Sequence, residues 1–266
     1  TKNPCYQSGR TITVKGLMLH SVGCAQPNPR VFVKNWNSAS YDRACVHGFI
    51  GEDEAIITLP CLETAGKAMR AWHCGASGNN THIGVEMCEP GNIKYTGGAS
   101  FTCADLTTAR SFVRKTTEQA VELFAQLCKF HGLNPMQDIV SHAEGHALGI
   151  ASNHADPDHL WRGLGMDYNM DDFRRDVAER LEELKEDEDM VRYKRLNDIP
   201  NENGFRDIIE QLMDAGILGG DGSDKTGNND VIDLSHDMVR NLVLEYRGGA
   251  FDRKFKAVGM EPVVKD

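Results

Sequence analysis

Ile12-Thr-Val-Lys-Gly-Leu-Met-Leu-His20 is a strand-like stretch that ends on a histidine. Aliphatic and β-branched residues predominate in it, which favours an extended conformation. Further stretches of this character, bounded by Gly, Asn or Pro, are Cys45–Ile50, Ala55–Leu59 and His82–Met87. A short strand from Asp138 to Ser141 leads directly into His142. These stretches predict a β-sheet with histidines at the ends of two strands.

Helical periodicity follows the first strands. After Asp105, apolar residues recur at helical spacing as far as Gly132, where a left-handed residue favours a helix end. A second helix is expected around Phe173, Val177 and Leu181. Strands followed by covering helices predict an α/β fold, with a central mixed β-sheet flanked by helices.

The charge balance limits the partners of the chain. Its 266 residues include 29 basic and 39 acidic side chains, a formal net charge of −10. An acidic protein gains nothing from phosphate counterion release, so neither nucleic acid nor an anionic membrane is expected as a partner. No apolar run approaches the roughly 18 residues of a membrane span. The N-terminal residues lack the pattern of a secretory signal, which predicts synthesis in the cytosol without a signal peptide.

Eight cysteines all lie in the first half of the chain and include no Cys-x-x-Cys pair. Without that spacing, neither a zinc ribbon nor a redox motif is indicated. We expect reduced core thiols, although an even number of cysteines also permits a disulfide framework.

An acidic run, Glu182-Glu-Leu-Lys-Glu-Asp-Glu-Asp189, has almost nothing to bury. It predicts a solvated helix end and an acidic linker over residues 183–193. Residues 1–182 then form the main domain, and residues 194–266 form a small, mainly helical C-terminal module.

Two short amphipathic helices are expected in the C-terminal module. One ends at Gly216, and Ser235 is a suitable N-cap for the other. The loop from Gly219 to Asp230 does not follow the residue order of an EF-hand, so a turn-rich connector is expected there.

Four of the ten histidines lie between Ser141 and Trp161, at positions 142, 146, 154 and 159. Imidazole nitrogen and carboxylate oxygen suit Zn²⁺, and a catalytic zinc site has three protein ligands and one open position. His142-Ala-Glu144-Gly-His146 differs from the metalloprotease pattern H-E-x-x-H, because its acid stands two places after the first histidine. This run is therefore not expected to hold a metal by itself, and His146 and His159 are expected at the surface or behind the ligands.

Ligands that are distant in sequence are the alternative. His20 and His142 each follow a strand, and strand ends on one edge of a sheet converge. The third ligand is then expected near Asp156, with His154 as its nearest competitor.

Several short motifs occur in an order that resembles a known family. They are Leu17–Ser21, Val46–Gly51, Ala71–Gly75, Asn79–Glu86, and Ile139–His142 followed by Asp156-Pro157. Over roughly residues 10–180 the chain resembles the zinc-dependent N-acetylmuramoyl-L-alanine amidases of type 2, a family that includes phage amidases and animal peptidoglycan recognition proteins.

The resemblance implies a zinc hydrolase that cleaves the amide bond between N-acetylmuramic acid and L-alanine in bacterial peptidoglycan. It implies His20, His142 and Asp156 as zinc ligands, and Glu86 as the acid that moves the proton. His154 stands where many relatives have a Lys that stabilises the oxyanion, so that role is expected of His154. Val46 stands where some phage relatives have a catalytic Tyr.

Other residues of the motifs are expected to bind substrate, namely Trp72, His73, His47 and Asn80. An aromatic face such as that of Trp72 suits a saccharide, although Trp72 also fits a core position. The C-terminal module resembles the tails of amidase-type endolysins, which implies cell-wall binding or a homodimer. We therefore expect an endolysin or a prophage autolysin that is made in the bacterial cytoplasm and acts on the cell wall.

Two other functions remain open. A non-catalytic peptidoglycan-binding module is one, but the presence of both Asp156 and Glu86 favours the enzyme. A cysteine peptidase is the other, and none of the eight cysteines lies in a recognisable signature for it.

Overall fold

The computed structural model describes residues 2–189, 191–220 and 231–263. The chain divides into two compact units, Thr1–Lys185 and Glu186–Asp266, and each has its own hydrophobic core. The expected connector at Gly219–Asp230 lies outside the described residues from position 221 onward.

The elements of the first unit follow one another in a mixed order. Its strands are β1 (Thr11–Thr13), β2 (Gly16–Ser21), β3 (Gly48–Ile50), β4 (Ala55–Ile57), β5 (Lys67–Met69), β6 (His82–Met87), β7 (Ile93–Gly97), β8 (Ser100–Cys103) and β9 (Ile139–Ser141). Its helices are α1 (Pro4–Gln7), α2 (Pro29–Trp36), α3 (Leu106–His131), α4 (Pro135–Asp138), α5 (His142–Ala147), α6 (Asp158–Gly163) and α7 (Met170–Asp189). The acidic run after Glu182 is thus the last part of α7.

A five-stranded sheet with the order β4-β3-β6-β2-β9 is the centre of this unit. Strands β3, β6, β2 and β9 are parallel, and β4 pairs antiparallel with β3 at one edge. The predicted α/β fold with a central mixed sheet is confirmed. All six residues of β2 are buried, as expected for a parallel strand that is covered on both faces.

Helices α3 and α7 contribute to the main core together with the sheet. Leu17 and Val85 of the sheet belong to the same buried cluster as Phe124 of α3 and Phe173 of α7. The rings of Phe124 and Phe173 meet edge to face with centroids 5.3 Å apart. A smaller cluster contains Met18 of β2 with residues from the loops. Because the faces of the sheet are covered, side chains at the carboxyl ends of its parallel strands can meet along the edge that these ends form.

Local sequence signals determine where α3 begins and ends. The Asp105 carboxylate accepts hydrogen bonds from the amides of Thr107 and Thr108, at 3.0 and 3.1 Å. Gly132 follows the helix with a φ of 68°, a left-handed conformation that favours glycine. Both ends agree with the sequence.

The predicted first strand is divided in two. Residues 11–13 pair with β5, whereas residues 16–21 enter the central sheet. Of the stretch predicted from Cys45 to Ile50, only its last three residues form β3, and Cys45 makes an isolated bridge with Trp72.

The expectation that all cysteines are reduced is wrong for two of them. Cys5 of α1 and Cys45 form a disulfide, with Cα atoms 6.4 Å apart and a separation of 40 positions in sequence. Such a pair leaves no local signature, because the fold alone brings the two residues together. The other six cysteines are free, and four of them are buried: Cys61, Cys74, Cys88 and Cys128.

The second unit combines a strand pair with helices. Its elements are β10 (Arg192–Arg195), α8 (Phe205–Asp214), β11 (Val231–Ser235), α9 (His236–Arg247) and α10 (Asp252–Ala257). Strands β10 and β11 are antiparallel, a pairing that the sequence did not predict. Ser235 caps α9 as expected, since its hydroxyl accepts from the amide of Met238 at 3.1 Å. No described helix of the chain is both long and apolar enough to cross a membrane.

Candidate metal centre and cleft

Three neighbouring parallel strands bring the central side chains of the site together. His20 of β2 lies beside Glu86 of β6 in the sheet register. Ser141 ends β9 opposite Leu19, so His142 begins α5 at the level of His20. The expected convergence of the strand ends is confirmed.

Two imidazoles and one carboxylate meet at this edge. The Nδ1 atoms of His20 and His142 are 2.9 Å apart, and Asp156 Oδ2 lies 3.2 and 3.5 Å from them, respectively. All three residues are buried, with exposed fractions of 1%, 2% and 8%. Of the histidine, cysteine and acidic side chains that the structure describes, these three lie close enough together to hold one metal ion.

A relay of hydrogen bonds determines which nitrogen of His20 is free. His73 Nε2 lies 3.2 Å from the carbonyl oxygen of His82, which can only accept, so Nε2 carries the proton. Burial lowers the pKa of His73 well below its ordinary value, so its Nδ1 is a bare acceptor. His20 Nε2 then donates to His73 Nδ1 over 2.8 Å. Burial also lowers the pKa of His20, which leaves a lone pair on its Nδ1.

The second imidazole is held in a similar way. His142 Nε2 lies 3.1 Å from the hydroxyl of Ser152, which is able to accept its proton. The Nδ1 atoms of both histidines face each other and the Asp156 carboxylate, so in the tautomer with the proton on Nε2 both Nδ1 atoms are placed to bind a cation. Two imidazole nitrogens and one carboxylate oxygen, each fixed by a second hydrogen bond, are a donor set that fits a zinc ion.

Glu144 belongs to the structure of α5 rather than to this centre. Ser141 and Glu144 form a reciprocal capping box at the start of the helix. The Glu144 carboxylate also forms two hydrogen bonds with the guanidinium of Arg174, each 2.9 Å long. The short helix forms despite Gly145. Because the Glu144 carboxylate is engaged in the capping box and with Arg174, it is not available as the general base of a metalloprotease.

Glu86 lines a cleft of about 690 Å³ next to the centre, together with His73, His154 and Asp156. Its Oε2 atom is buried and has no hydrogen-bond partner. Burial raises the pKa of this carboxyl well above its ordinary value, and the carboxylates of Asp156 and Glu89 raise it further. A carboxyl group in this state is suited to hold a proton and release it.

His154 also lines the cleft, but it is the exposed histidine of the group. Its side chain is 62% exposed, and its Nδ1 lies 3.9 Å from Asp156 Oδ1. Its ring centroid lies 4.5 Å from that of His142. His154 is thus a neighbour of the buried centre, whereas Asp156 is part of it.

Three of the residues expected to bind substrate are not among those that line the described cleft. His47 is fully buried, donates from Nε2 to the carbonyl of Met69 at 2.7 Å and accepts the amide of Gly84 at 3.0 Å. Trp72 packs with the cluster around the disulfide. Asn80 accepts a hydrogen bond from Arg70 at 2.7 Å on the surface.

Sequence reasoning assigned His73 to substrate and missed the residues that hold it behind His20. The side-chain oxygen of Asn79, the neighbour of Asn80, accepts the amides of His73 and Cys74 at 2.8 and 3.0 Å. A Cβ atom at Gly84 would overlap the imidazole ring of His73. The glycine in the Ile83-Gly84-Val85-Glu86 motif therefore leaves room for the His73 ring, a close approach that a lone glycine in a strand can signal.

Sequence reasoning also missed two polar residues near the cleft, Glu89 and Tyr95. Tyr95 lines the cleft together with His159, and its hydroxyl donates to the fully buried Glu89 at 2.7 Å. No motif marks either residue.

Comparison with known proteins gives the family. The family model for N-acetylmuramoyl-L-alanine amidase matches residues 10–159. The N-acetylmuramoyl-L-alanine amidase BlyA of Bacillus subtilis (strain 168) is 30% identical over 132 residues, which are 48% of this chain and 34% of BlyA. The chain thus matches about a third of the length of that curated relative.

Among solved structures, the hydrolase AmiA of Staphylococcus aureus, in complex with its ligand, has a TM-score of 0.47 and 22% identity, covering 66% of this chain and 76% of that one. A mutant endolysin from Bacillus subtilis has a TM-score of 0.44 and 18% identity, covering 64% and 88%. Because the family model spans more than half of the chain, the protein belongs to the N-acetylmuramoyl-L-alanine amidase family.

Proposed function

We propose that this protein hydrolyses the amide bond between N-acetylmuramic acid and L-alanine in peptidoglycan, with a zinc ion held by His20, His142 and Asp156. The observation that carries the proposal is the meeting of two imidazole Nδ1 atoms and a carboxylate oxygen at 2.9 to 3.5 Å in a buried position. Family membership supports the same bond specificity.

The residues around the centre divide the chemistry. A bound zinc ion supplies Lewis-acid activation of a water molecule and of the scissile carbonyl. Glu86 takes the proton of the attacking water on its carboxylate and returns it to the leaving amine of L-alanine. The raised pKa of Glu86 suits the second half of that transfer, because the carboxyl holds the proton until the amine needs it.

His154 is the residue that we assign to the oxyanion. It lies at the exposed side of the centre, within the cleft, where a substrate carbonyl has access. Either a charged imidazole or a neutral N–H is able to donate a hydrogen bond to the developing negative charge. The Lys found at this position in many relatives would provide the same donor with a permanent charge.

The proposed setting is the bacterial cell wall. We infer an endolysin or prophage autolysin that is made in the cytoplasm and acts on peptidoglycan after release or pore formation. The second unit is proposed to bind the wall or to pair two chains. Its separate core supports an independent module.

Purified cell walls provide the test. We expect the zinc-loaded protein to release new L-alanine amino termini, a chelator to stop the release, and added zinc to restore it. The matched variant is Glu86→Gln, which keeps the shape of the side chain and removes the proton carrier. Walls that are bound without release of amino termini, with zinc supplied, would identify a non-catalytic binding module instead.

A further inference from the structure

The carboxylate of Glu89 is fully buried, yet both of its oxygens have partners. Oε1 accepts from the hydroxyl of Ser21 at 2.8 Å and from the amide of Gly23 at 3.0 Å, and Oε2 accepts from the hydroxyl of Tyr95 at 2.7 Å. Burial raises the pKa of Glu89, while these donors oppose the rise. Because an unpaired carboxylate is costly to bury, three donors directed at one group indicate a fixed structural role.

One arm of this arrangement leads to the third ligand of the candidate metal centre. Ser21 follows His20 in β2, and its hydroxyl is held by Glu89. The backbone amide of Ser21 lies 3.3 Å from Asp156 Oδ2, the oxygen that faces both histidines. Glu89 therefore positions the amide that holds the Asp156 carboxylate.

The other arm reaches Asp156 along the chain. The hydroxyl of Tyr95 donates a hydrogen bond to Glu89. Its oxygen therefore accepts from His159 Nε2, at 2.7 Å. His159 is 7% exposed and lies in α6, three residues after Asp156. Its backbone amide donates to the carbonyl of Ala155, which adjoins Asp156, at 3.0 Å. The loop that carries Asp156 is thus attached to Glu89 on both sides.

We propose that Glu89 and Tyr95 are positioning residues for the third zinc ligand, because they close a ring of contacts through Ser21, Asp156 and His159. The two histidines are each held from behind by one side chain, His73 or Ser152, whereas Asp156 is held by the Ser21 amide and by the loop that leads to His159. Partners behind a ligand commonly change metal affinity 10- to 100-fold, about the effect expected here. The inference rests on the proposed zinc site.

Tyr95→Phe tests the ring directly. The substitution removes one hydroxyl and keeps the ring that packs on Phe101, with centroids 5.7 Å apart. We expect Zn²⁺ affinity, measured by competition with a chromophoric chelator, to fall about 10-fold or more. The measurement needs no substrate and is made well below the unfolding temperature of the variant.

The matched control is Tyr168→Phe. Tyr168 donates to the Asp176 carboxylate at 2.6 Å, so the same tyrosine-to-carboxylate bond is lost outside the cleft. We expect this variant to lose stability but to keep the Zn²⁺ affinity of the parent protein. A role of Tyr95 in stability alone would leave Zn²⁺ affinity unchanged in both variants, and that result would overturn the inference.

Glu89→Gln provides a second test. The side-chain carbonyl that this substitution introduces is able to accept from Ser21 and Gly23, and its amide group is able to donate to Tyr95 if the His159 tautomer changes. We therefore expect a smaller loss of Zn²⁺ affinity than in Glu89→Ala, and equal losses would contradict the ring. A parent protein that binds no Zn²⁺ at all would refute the proposed metal site itself, a result distinct from failure of the ring.

Discussion

Two groups of residues at the candidate site, which we call the histidine wall and the carboxyl wall, satisfy their polar atoms in different ways. On the histidine wall, formed by His20, His73 and His142, each Nε2 atom has a hydrogen-bond partner, and the Nδ1 atoms of His20 and His142 are directed towards Asp156. On the carboxyl wall, formed by Glu86, Glu89 and Tyr95, Glu89 is fully paired, whereas Glu86 Oε2 has no partner. The metal would bind at the Nδ1 atoms of the histidine wall, and the reacting water and amine would use the unpaired Oε2 atom of Glu86.

Removal of the carboxylate that closes the histidine wall should have the largest effect. In Asp156→Ala, the two remaining imidazoles provide an incomplete donor set, so we expect zinc content to fall from about one ion per chain to nearly none. Elemental analysis of the purified protein measures this directly. His154→Ala is the control and should retain zinc. If Asp156→Ala retained zinc and His154→Ala lost it, His154 rather than Asp156 would be the third ligand.

Glu86, whose Oε2 atom is unpaired on the carboxyl wall, should affect turnover but not zinc content. We expect Glu86→Gln to reduce the release of L-alanine amino termini by about 10²- to 10⁴-fold, the usual contribution of a positioned acid or base. Zinc content should remain that of the parent protein, since Glu86 is not part of the converging donor set. Loss of both activity and zinc would show that Glu86 supports the metal centre instead.

The sequence indicated the strand ends of both walls better than the side-chain contacts behind them. Strand β6 has the predicted bounds, and the histidines at the ends of two strands do converge, because strand periodicity and parallel pairing are encoded locally. The hydrogen bond between Tyr95 and His159 joins residues 64 positions apart, and that between His20 and His73 joins residues 53 apart. Such contacts depend on how distant elements and loops pack together, so no periodic pattern in the sequence predicts them. The Cys5–Cys45 disulfide was missed for the same reason.

His47 lies behind the histidine wall and makes the stability of the folded protein dependent on pH. Burial lowers the pKa of His47 from 6.5 to about 4. The unfolded chain therefore takes up a proton below about pH 6.5, while the folded protein resists it. We expect the free energy of unfolding of the metal-free protein to fall by about 3 kcal/mol from this residue alone as the pH drops from 6.5 to 4.

Urea unfolding of the parent protein and of His47→Gln over this pH range isolates the contribution of His47. The glutamine keeps a donor for the Met69 carbonyl and an acceptor for the Gly84 amide, but does not titrate. His20 and His73 change stability in the same direction in both proteins, since burial lowers the pKa of each. Parallel pH profiles for the two proteins would rule out His47 as the source.

His154 should give the smallest effect, because it stands at the exposed mouth between the two walls. With 62% of its side chain exposed, its interaction with a developing oxyanion is screened by water, so His154→Ala should lower turnover only about tenfold. His146→Ala is the matched control, because His146 lies outside the residues that line the described cleft. His154→Lys should restore turnover if the residue acts as a hydrogen-bond donor, since Lys provides that donor without an acceptor. A lysine variant as impaired as the alanine variant would place oxyanion stabilisation on another group and leave His154 as part of the cleft surface.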